Sequence, residues 1–178
     1  MAIVRPVVWS EDIPALCGLD TSFTTDRIYR LDRQAFSFTL AEQRVSPPLT
    51  KTVCHMADEI SSLQKMEHTV VAAVNRMVVG FAAAQHSAWN NRVVLWHLYV
   101  LPAYRGYGIG TALMQSVLAY AEAAGAWCVW LEAQNVNYPA LQFYIKRGFR
   151  ICGLDTNLYD PKGPGKDEVA VYLSRELN

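Results

Sequence analysis

The sequence predicts a mixed α/β fold of the α+β type, in which helices cover both faces of a mostly antiparallel sheet of about six or seven strands. Two observations carry this prediction. Three apolar, β-rich runs at 68–74, 77–87 and 93–100 are separated by short polar turns, which indicates an antiparallel meander. Directly afterwards, apolar residues recur at helical spacing over 109–124, and Gly125 stands where a helix-ending glycine is expected.

The elements before the meander are less regular. Residues 3–9 are β-rich and predict a strand, and Ser10 precedes the acidic first turn of a predicted helix. Residues 20–35 are polar and show no clear pattern, whereas 36–45 alternates in part and indicates a strand. The consecutive prolines at 47–48 are expected to end that strand, because proline supports neither a ladder hydrogen bond nor a helix interior.

The elements after the long helix complete the predicted sheet. The short apolar run 127–131 is typical of a buried strand. Residues 139–147 predict a short helix that ends at Gly148. The segments 149–159 and 169–173 then predict a closing pair of strands around a Pro- and Gly-rich turn.

Composition excludes several classes of protein. The chain has 178 residues, a net charge of zero and 18% charged residues, so we expect no broad basic face for nucleic acid. The longest apolar stretch, 77–84, is far shorter than the roughly 20 residues of a membrane span, and no secretory signal is visible. The expected location is the cytoplasm. Cysteines and histidines are widely scattered, which predicts no metal site.

The most informative segment is a glycine-rich turn that follows a predicted strand and opens the amphipathic helix. Glycines let the backbone approach a ligand closely, and the first N–H groups of a helix have no partner within it. The turn therefore suits a phosphate or pyrophosphate, with a positive charge from Arg105 at its mouth. The residues expected to bind the anion are Arg105, Gly106, Tyr107, Gly108, Ile109, Gly110 and Thr111.

Other kinds of glycine turn fit less well. A dinucleotide-binding turn needs a third glycine where Thr111 stands, although Glu132 does follow about twenty residues later. A P-loop needs Lys followed by Ser or Thr after the glycines, and that pair is missing. A turn that only ends one element and begins a helix is the structural alternative.

The pattern R-x-x-G-x-G at 105–110 resembles the turn with which the GNAT superfamily of N-acyltransferases binds the pyrophosphate of coenzyme A. Segment 137–149 resembles a second element of that superfamily, N-x-x-A-x-x-x-Y followed by G-F. The resemblance implies an acetyl-CoA-dependent N-acetyltransferase without a metal. It also implies a single domain, 1–178, with 1–65 on the acceptor side and 93–150 as the acetyl-CoA-binding core.

The resemblance assigns roles to individual residues. Asn137 would contact acetyl-CoA, and Tyr144 would lie near its sulfur. The strand that ends at Tyr99 and Val100 would pair its backbone with the pantetheine arm, as an additional strand would.

Transfer of an acetyl group to an amine requires one group that accepts the amine proton and one that assists the leaving thiolate. Tyr144 suits the thiolate, with a core tyrosine as the alternative interpretation. Glu132 lies twelve residues earlier, which matches the spacing of base and acid in the superfamily's ribosomal-protein alanine acetyltransferases. His97 is the rival base, because an ordinary pKa near 6.5 suits proton transfer, although a hydrogen-bonded core histidine fits its position.

A closer resemblance, to streptothricin acetyltransferases, implies a cationic small-molecule amine as acceptor and a role in antibiotic resistance. It is carried by segments 36–38, 47–51, 131–135, 148–149, 153–159 and 168–172. Glu132 and Asp155 would suit such a cation, although Asp155 also fits a turn carboxylate. Trp96 and His97 replace an acidic pair of those relatives, and 173–175 replaces their aromatic tail.

These departures leave the acceptor open. An aminoglycoside, a polyamine, or a peptide or protein amine remain alternatives, and outside enzymes so does a non-catalytic acyl-CoA-binding regulatory module. The apolar, aromatic-rich composition is compatible with a homodimer.

Overall fold

The fold is seen in a computed structural model that describes residues 2–163, 165 and 168–177. From the meander to the last pair of strands the elements follow the predicted order, and a hairpin of two long strands stands between the first two helices. The elements are β1 (Ile3–Pro6), α1 (Trp9–Cys17), β2 (Ser22–Arg33), β3 (Phe38–Thr52), α2 (Met56–Leu63), β4 (His68–Val74), β5 (Met77–Ser87), β6 (Arg92–Val100), a 3₁₀ turn (Pro102–Tyr104), α3 (Ile109–Ala123), β7 (Cys128–Gln134), α4 (Tyr138–Ile145), β8 (Arg150–Asp155) and β9 (Ala170–Glu176).

The chain forms two compact units, each assembled from separate stretches of sequence. The first unit consists of the residues up to Ser22, of Thr52–Val129 and of the stretch from Glu176, and the second of Phe23–Lys51 and Trp130–Arg175. The expected parts, 1–65 on the acceptor side and 93–150 as the acetyl-CoA-binding core, stay a prediction. The organisation as one domain stays a prediction.

Seven of the described strands belong to a main sheet, and β2 and β3 form a separate two-stranded sheet. In the first unit the order is β1-β4-β5-β6, with every neighbouring pair antiparallel. In the second unit β9 lies between β7 and β8, and the pair β8–β9 is antiparallel. The predicted α+β fold and the predicted meander are confirmed.

Helices pack on both faces of the first unit's strands, as predicted. Helices α1 and α2 bury Leu16 and Leu63 in one apolar cluster with Phe81 of β5. Successive strand residues point to opposite faces, so the preceding residue, Gly80, faces the other way. There a Cβ on Gly80 would lie 3.1 Å from Leu113 of α3, which shows how closely this helix approaches the sheet.

One sequence prediction about the N-terminal third was wrong and one segment had no assignment, and both concern the hairpin of β2 and β3. The prolines at 47–48 do not end β3, which continues to Thr52. Each strand of a two-stranded sheet has an open edge, where a missing N–H costs no ladder hydrogen bond. Residues 20–35 contain strand β2, and most of its side chains are exposed or half-buried. Only Phe23 and Thr25 near its start are buried, so the strand shows little apolar alternation, which is why the sequence pattern missed it.

Candidate active site

Strand β6 contains a bulge directly before His97. Along the ladder with β5, Ala83 pairs with His97 and Ala84 pairs with Leu95, so Trp96 is an extra residue in the strand. A bulge bends a strand and redirects its side chains, and bulges are frequent next to active sites. The indole of Trp96 is accordingly 57% exposed. The bulge therefore changes the direction of β6 just before the end that is expected to bind the pantetheine arm.

The two polar side chains near the end of β6 point into a half-buried region of the first unit. His97 Nδ1 and the Tyr99 hydroxyl are 3.4 Å apart and share a hydrogen bond. The thiol of Cys54 also contacts the Tyr99 hydroxyl at 3.4 Å. Burial lowers the pKa of His97 to about 4, so the imidazole is neutral at pH 7 and a weak base. This environment matches a hydrogen-bonded core histidine, and a contact of Tyr99 with coenzyme A stays a prediction.

The glycine turn depends on two residues with left-handed backbone conformations. Gly106 and Gly108 have φ angles of 84° and 80°, which other residues adopt only with strain. A Cβ on either glycine would meet no described atom within 4 Å, so the space beside the backbone is open. Gly108 precedes α3, and its carbonyl accepts the N–H of Ala112 at 3.0 Å. The earlier N–H groups of the helix, including those of Ile109 and Gly110, are thus placed to bind an anion.

Arg105 holds the turn in place through backbone oxygens. Its Nε donates to the Val100 carbonyl at 2.9 Å, and a terminal nitrogen donates to the Ser22 carbonyl at 2.5 Å. Burial lowers the pKa of Arg105, although a guanidinium stays charged at neutral pH. The side chain therefore ties the turn to the end of β6 through two of its nitrogens, and a contact of Arg105 with an anion stays a prediction. Tyr107 lies 80% exposed at the tip of the turn.

The carboxylate of Glu132, on strand β7 of the second unit, interacts with several neighbouring side chains. It lies on β7 between the buried side chains Leu131 and Ala133, which point to the opposite face, and is itself half-buried. The Tyr159 hydroxyl donates a hydrogen bond to Glu132 Oε1. Burial raises the pKa of Glu132, and the bond from Tyr159 opposes this effect because it stabilises the charged form.

An ion pair completes the surroundings of Glu132. Lys51 Nζ contacts both carboxylate oxygens of Glu168, and the two side chains are only 20% and 10% exposed. The negative charge of Glu168 raises the pKa of Glu132, whereas the positive charge of Lys51 lowers it. We call Lys51, Glu132, Tyr159 and Glu168 the Glu132 cluster.

The sequence did not assign roles to three members of this cluster. Lys51, Tyr159 and Glu168 are far apart in the chain and belong to no short motif. Each of them nevertheless falls within a segment that resembles the streptothricin acetyltransferases. Their position in these resembling segments is the sequence signal that could have identified them.

Tyr144 is a buried residue of helix α4, with 8% of its surface exposed. Its ring packs edge-on against Phe143 and Phe149, at centroid distances of 5.3 and 5.6 Å. Burial and the charge of Glu132 both raise the pKa of Tyr144. The phenol is therefore protonated at neutral pH and can act as a hydrogen-bond donor.

Asn137 and Asp155 both make local hydrogen bonds to the backbone. Asn137 Oδ1 accepts the N–H of Ala140 at 3.3 Å and so caps helix α4. Asp155 accepts the N–H of Asn157 at 2.8 Å and the hydroxyl of Tyr172 at 3.4 Å. The turn carboxylate that the sequence offered as an alternative for Asp155 matches these contacts, and a contact of Asn137 with acetyl-CoA stays a prediction.

Asn135 is a buried polar residue that the sequence analysis did not single out. Its backbone N–H and its Oδ1 both bond to the backbone of Val169, and its backbone oxygen and Nδ2 both bond to the backbone of Tyr29. The end of β7 is thereby fastened to β2 and to the stretch before β9. This arrangement fixes the backbone that carries Glu132.

Among the residues that the structure describes, no group of three or more His, Cys, Asp and Glu side chains could hold a metal ion. The same part of the chain contains no helix with the length and apolar character that membrane crossing demands.

Comparisons with known proteins identify the family. The model of the Acetyltransferase (GNAT) family matches residues 26–149. The streptothricin acetyltransferase of Streptomyces lavendulae is 37% identical over 169 residues, which are 92% of this chain and 89% of that protein. The crystal structure of a nourseothricin acetyltransferase is 37% identical, covers 99% of both chains and superposes with a TM-score of 0.89. A Bacillus anthracis structure in complex with acetyl coenzyme A shares the fold, with a TM-score of 0.82, 23% identity and coverage of 99% and 100%. The chain therefore belongs to the GNAT family, and it is an acetyl-CoA-dependent N-acetyltransferase.

Proposed function

We propose that this enzyme acetylates a primary amine of a small cationic molecule of the streptothricin class, in the cytoplasm, and so inactivates an antibiotic. The Glu132 cluster is the observation that carries the proposal. Its members come from segments 47–51, 131–135, 153–159 and 168–172, which are segments that resemble streptothricin acetyltransferases. Relatives that bear this activity in their names match nearly the whole chain, which supports the same acceptor class here.

The charge of the cluster suits an ammonium group. Glu132 and Glu168 are two carboxylates against the single ammonium of Lys51, so the cluster is negative when Glu132 is ionised. A cationic amine that approaches Glu132 is attracted by this excess. The attraction is stronger in a half-buried position than in water, because the effective dielectric constant is lower.

Glu132 is proposed as the general base. A lysine-like amine with a pKa near 10.4 is neutral in only about one part in 2,500 at pH 7, a deficit of roughly 4.6 kcal/mol. Burial raises the pKa of Glu132, which makes this carboxylate a stronger base than an exposed glutamate. His97, with a pKa of about 4, is the weaker base of the two.

Tyr144 is proposed as the group that assists the leaving thiolate. Its raised pKa keeps the phenol protonated, so the hydroxyl is available as a donor throughout the neutral range. The same raised pKa makes complete proton transfer to a thiolate, with an ordinary thiol pKa near 8.5, unfavourable. A hydrogen bond to the developing sulfur charge is therefore the role that fits Tyr144.

Acetyl-CoA supplies the activated acetyl thioester, and the glycine turn of the first unit fits its pyrophosphate. The open space beside Gly106 and Gly108 permits close approach, and the N–H groups at the start of α3 are donors for phosphate oxygens. The end of β6 at Tyr99 and Val100 is proposed to pair its backbone with the pantetheine arm.

The experiment is a thiol-release assay with acetyl-CoA and a panel of amines: streptothricin, spermidine, an aminoglycoside and a peptide with a free N-terminus. We expect the highest kcat/KM for streptothricin, and expression of the protein should protect a sensitive bacterium from that antibiotic. A higher kcat/KM for the peptide would contradict the proposed acceptor. Binding of acetyl-CoA without turnover of any amine would instead identify a regulatory module.

A further inference from the structure

Tyr159 stands outside the proposed acid–base pair of Glu132 and Tyr144, yet it contacts the base directly. It lies in the connection between β8 and β9 and is half-buried. Its hydroxyl donates a hydrogen bond to Glu132 Oε1. We propose that Tyr159 is a positioning residue for acetyl transfer, which engages one carboxylate oxygen of Glu132 so that the other faces the acceptor amine. This inference rests on the proposed function, because it takes Glu132 as the base.

Gly165, a described residue of the connection between β8 and β9, lies close to Tyr159. A Cβ on Gly165 would lie 3.4 Å from both Tyr159 Cβ and Glu168 Oε2, so the backbone passes directly over both side chains. The Glu168 N–H donates to the Gly165 carbonyl at 2.9 Å. Glu168 is in turn fastened to β3 through its ion pair with Lys51. The backbone at Gly165 thus lies against Tyr159, and the neighbouring Glu168 is held by an ion pair that does not involve Glu132.

A fixed donor at Glu132 serves the reaction in two ways. A carboxylate has two oxygens, and a hydrogen bond to one of them restricts the rotation of the group and so the direction of the other. Burial alone favours the protonated carboxylic acid, which cannot accept a proton from the amine. The bond from Tyr159 stabilises the ionised form and thereby keeps the base in its active state.

The other groups around Glu132 do not replace this bond. The ion pair contributes charges of opposite sign, which partly cancel at Glu132, and the remaining neighbours are neutral tyrosines at pH 7. The described groups of the second unit that interact electrostatically with Glu132 are Lys51 of β3, Tyr144 of α4, Tyr159 and Glu168 of the β8–β9 connection, and Tyr172 of β9.

The test is the pH profile of kcat/KM for Tyr159→Phe, with streptothricin as the acceptor. Loss of a hydrogen bond to the charged form raises the pKa of Glu132, so the lower-pH inflection should move upward by about one pH unit. The amine's own ionisation appears at higher pH and is the same for both proteins. Turnover at pH 7 should fall about tenfold, because a misdirected base is also less efficient, while KM for acetyl-CoA stays unchanged.

Tyr172→Phe is the matched control. Tyr172 is also half-buried, but its hydroxyl donates to Asp155 and not to Glu132. We expect its lower-pH inflection to coincide with that of the wild type. A purely structural role of Tyr159 would lower the melting temperature and leave the inflection in place, and that result would overturn the inference.

The outcome separates this inference from the proposed function. If the wild type acetylates streptothricin and Tyr159→Phe keeps the wild-type inflection, the positioning role is wrong and the proposed function stands. If the wild type acetylates none of the amines in the panel, the proposed function fails. In that case ¹³C titration of the Glu132 carboxyl still tests whether Tyr159 stabilises its ionised form. An equal pKa of Glu132 in the wild type and in Tyr159→Phe would refute the positioning role.

Discussion

The glycine turn and the Glu132 cluster, which we propose to bind opposite charges, are built by different means. The turn is a single stretch, 105–111, and offers backbone N–H groups in a conformation that two glycines make accessible. The cluster combines side chains from four distant segments and relies on burial and on the balance of their charges. A site made of backbone N–H groups requires particular φ angles, but most side chains can occupy its positions. A site made of side chains requires particular residue types, but these can come from distant parts of the sequence.

This comparison predicts that the two regions control different steps. Changes in the turn should alter the affinity for acetyl-CoA, and changes in the cluster should alter turnover and its pH dependence. The following variants test that separation, in order of decreasing effect.

Glu132→Gln should have the largest effect, because it removes the proposed base and keeps the shape of the side chain. We expect kcat to fall by about 10²- to 10⁴-fold in the thiol-release assay. The thermal stabilisation by acetyl-CoA should stay at the wild-type level. Glu122→Gln, at an exposed position on α3, is the control and should keep full turnover. A loss of acetyl-CoA binding in Glu132→Gln would contradict the prediction that the two regions control different steps.

Tyr144→Phe should lower kcat by about 10- to 100-fold, the size expected for one hydrogen bond to a developing charge. Its lower-pH inflection should stay near that of the wild type, in contrast to Tyr159→Phe. Tyr29→Phe is a suitable control, because the Tyr29 hydroxyl bonds to Gln142 of the same helix α4 without a proposed part in the reaction. Equal losses in both variants would indicate that Tyr144 only packs the helix.

Gly108→Ala should weaken acetyl-CoA binding about tenfold and affect kcat less. An alanine at φ 80° is strained, and relief of that strain displaces the N–H groups at the start of α3. Gly125→Ala is the matched control, since Gly125 also has a positive φ, of 66°, and open space beside it, but follows the same helix. Calorimetry should show weaker binding only for Gly108→Ala, although both variants lose about 1 kcal/mol of stability.

The smallest effect is a pH-dependent gain in stability in Glu132→Gln. Burial raises the folded-state pKa of Glu132, so the wild type loses stability as the pH rises from the ordinary glutamate range through that raised value. The glutamine carries no charge, so the variant does not lose stability in this way as the pH rises. Its melting temperature should therefore exceed that of the wild type at pH 8. Below pH 4 the two proteins should melt together, and an equal gain at both pH values would exclude a charge effect.

Much of the fold could be predicted because local patterns determine it. The meander β4–β5–β6 and helix α3 have strong apolar periodicity, and their predicted bounds lie within a residue or two of the structure. The hairpin of β2 and β3 could not be predicted in the same way. Its strands are held by cross-strand contacts such as Thr24–Thr50 and Arg27–Glu42, which leave no periodic apolar signal.

The sequence by itself determined the family and the glycine turn. All the donors of the turn come from consecutive residues, and only glycine adopts its φ angles without strain. Only the tertiary structure decided the environment of Glu132. Its pKa depends on burial and on Tyr159, Lys51 and Glu168, whose distances from Glu132 in space cannot be read from their separation in the chain. Electrostatic effects act through space, so the electrostatic environment of this proposed base depends on the folded chain.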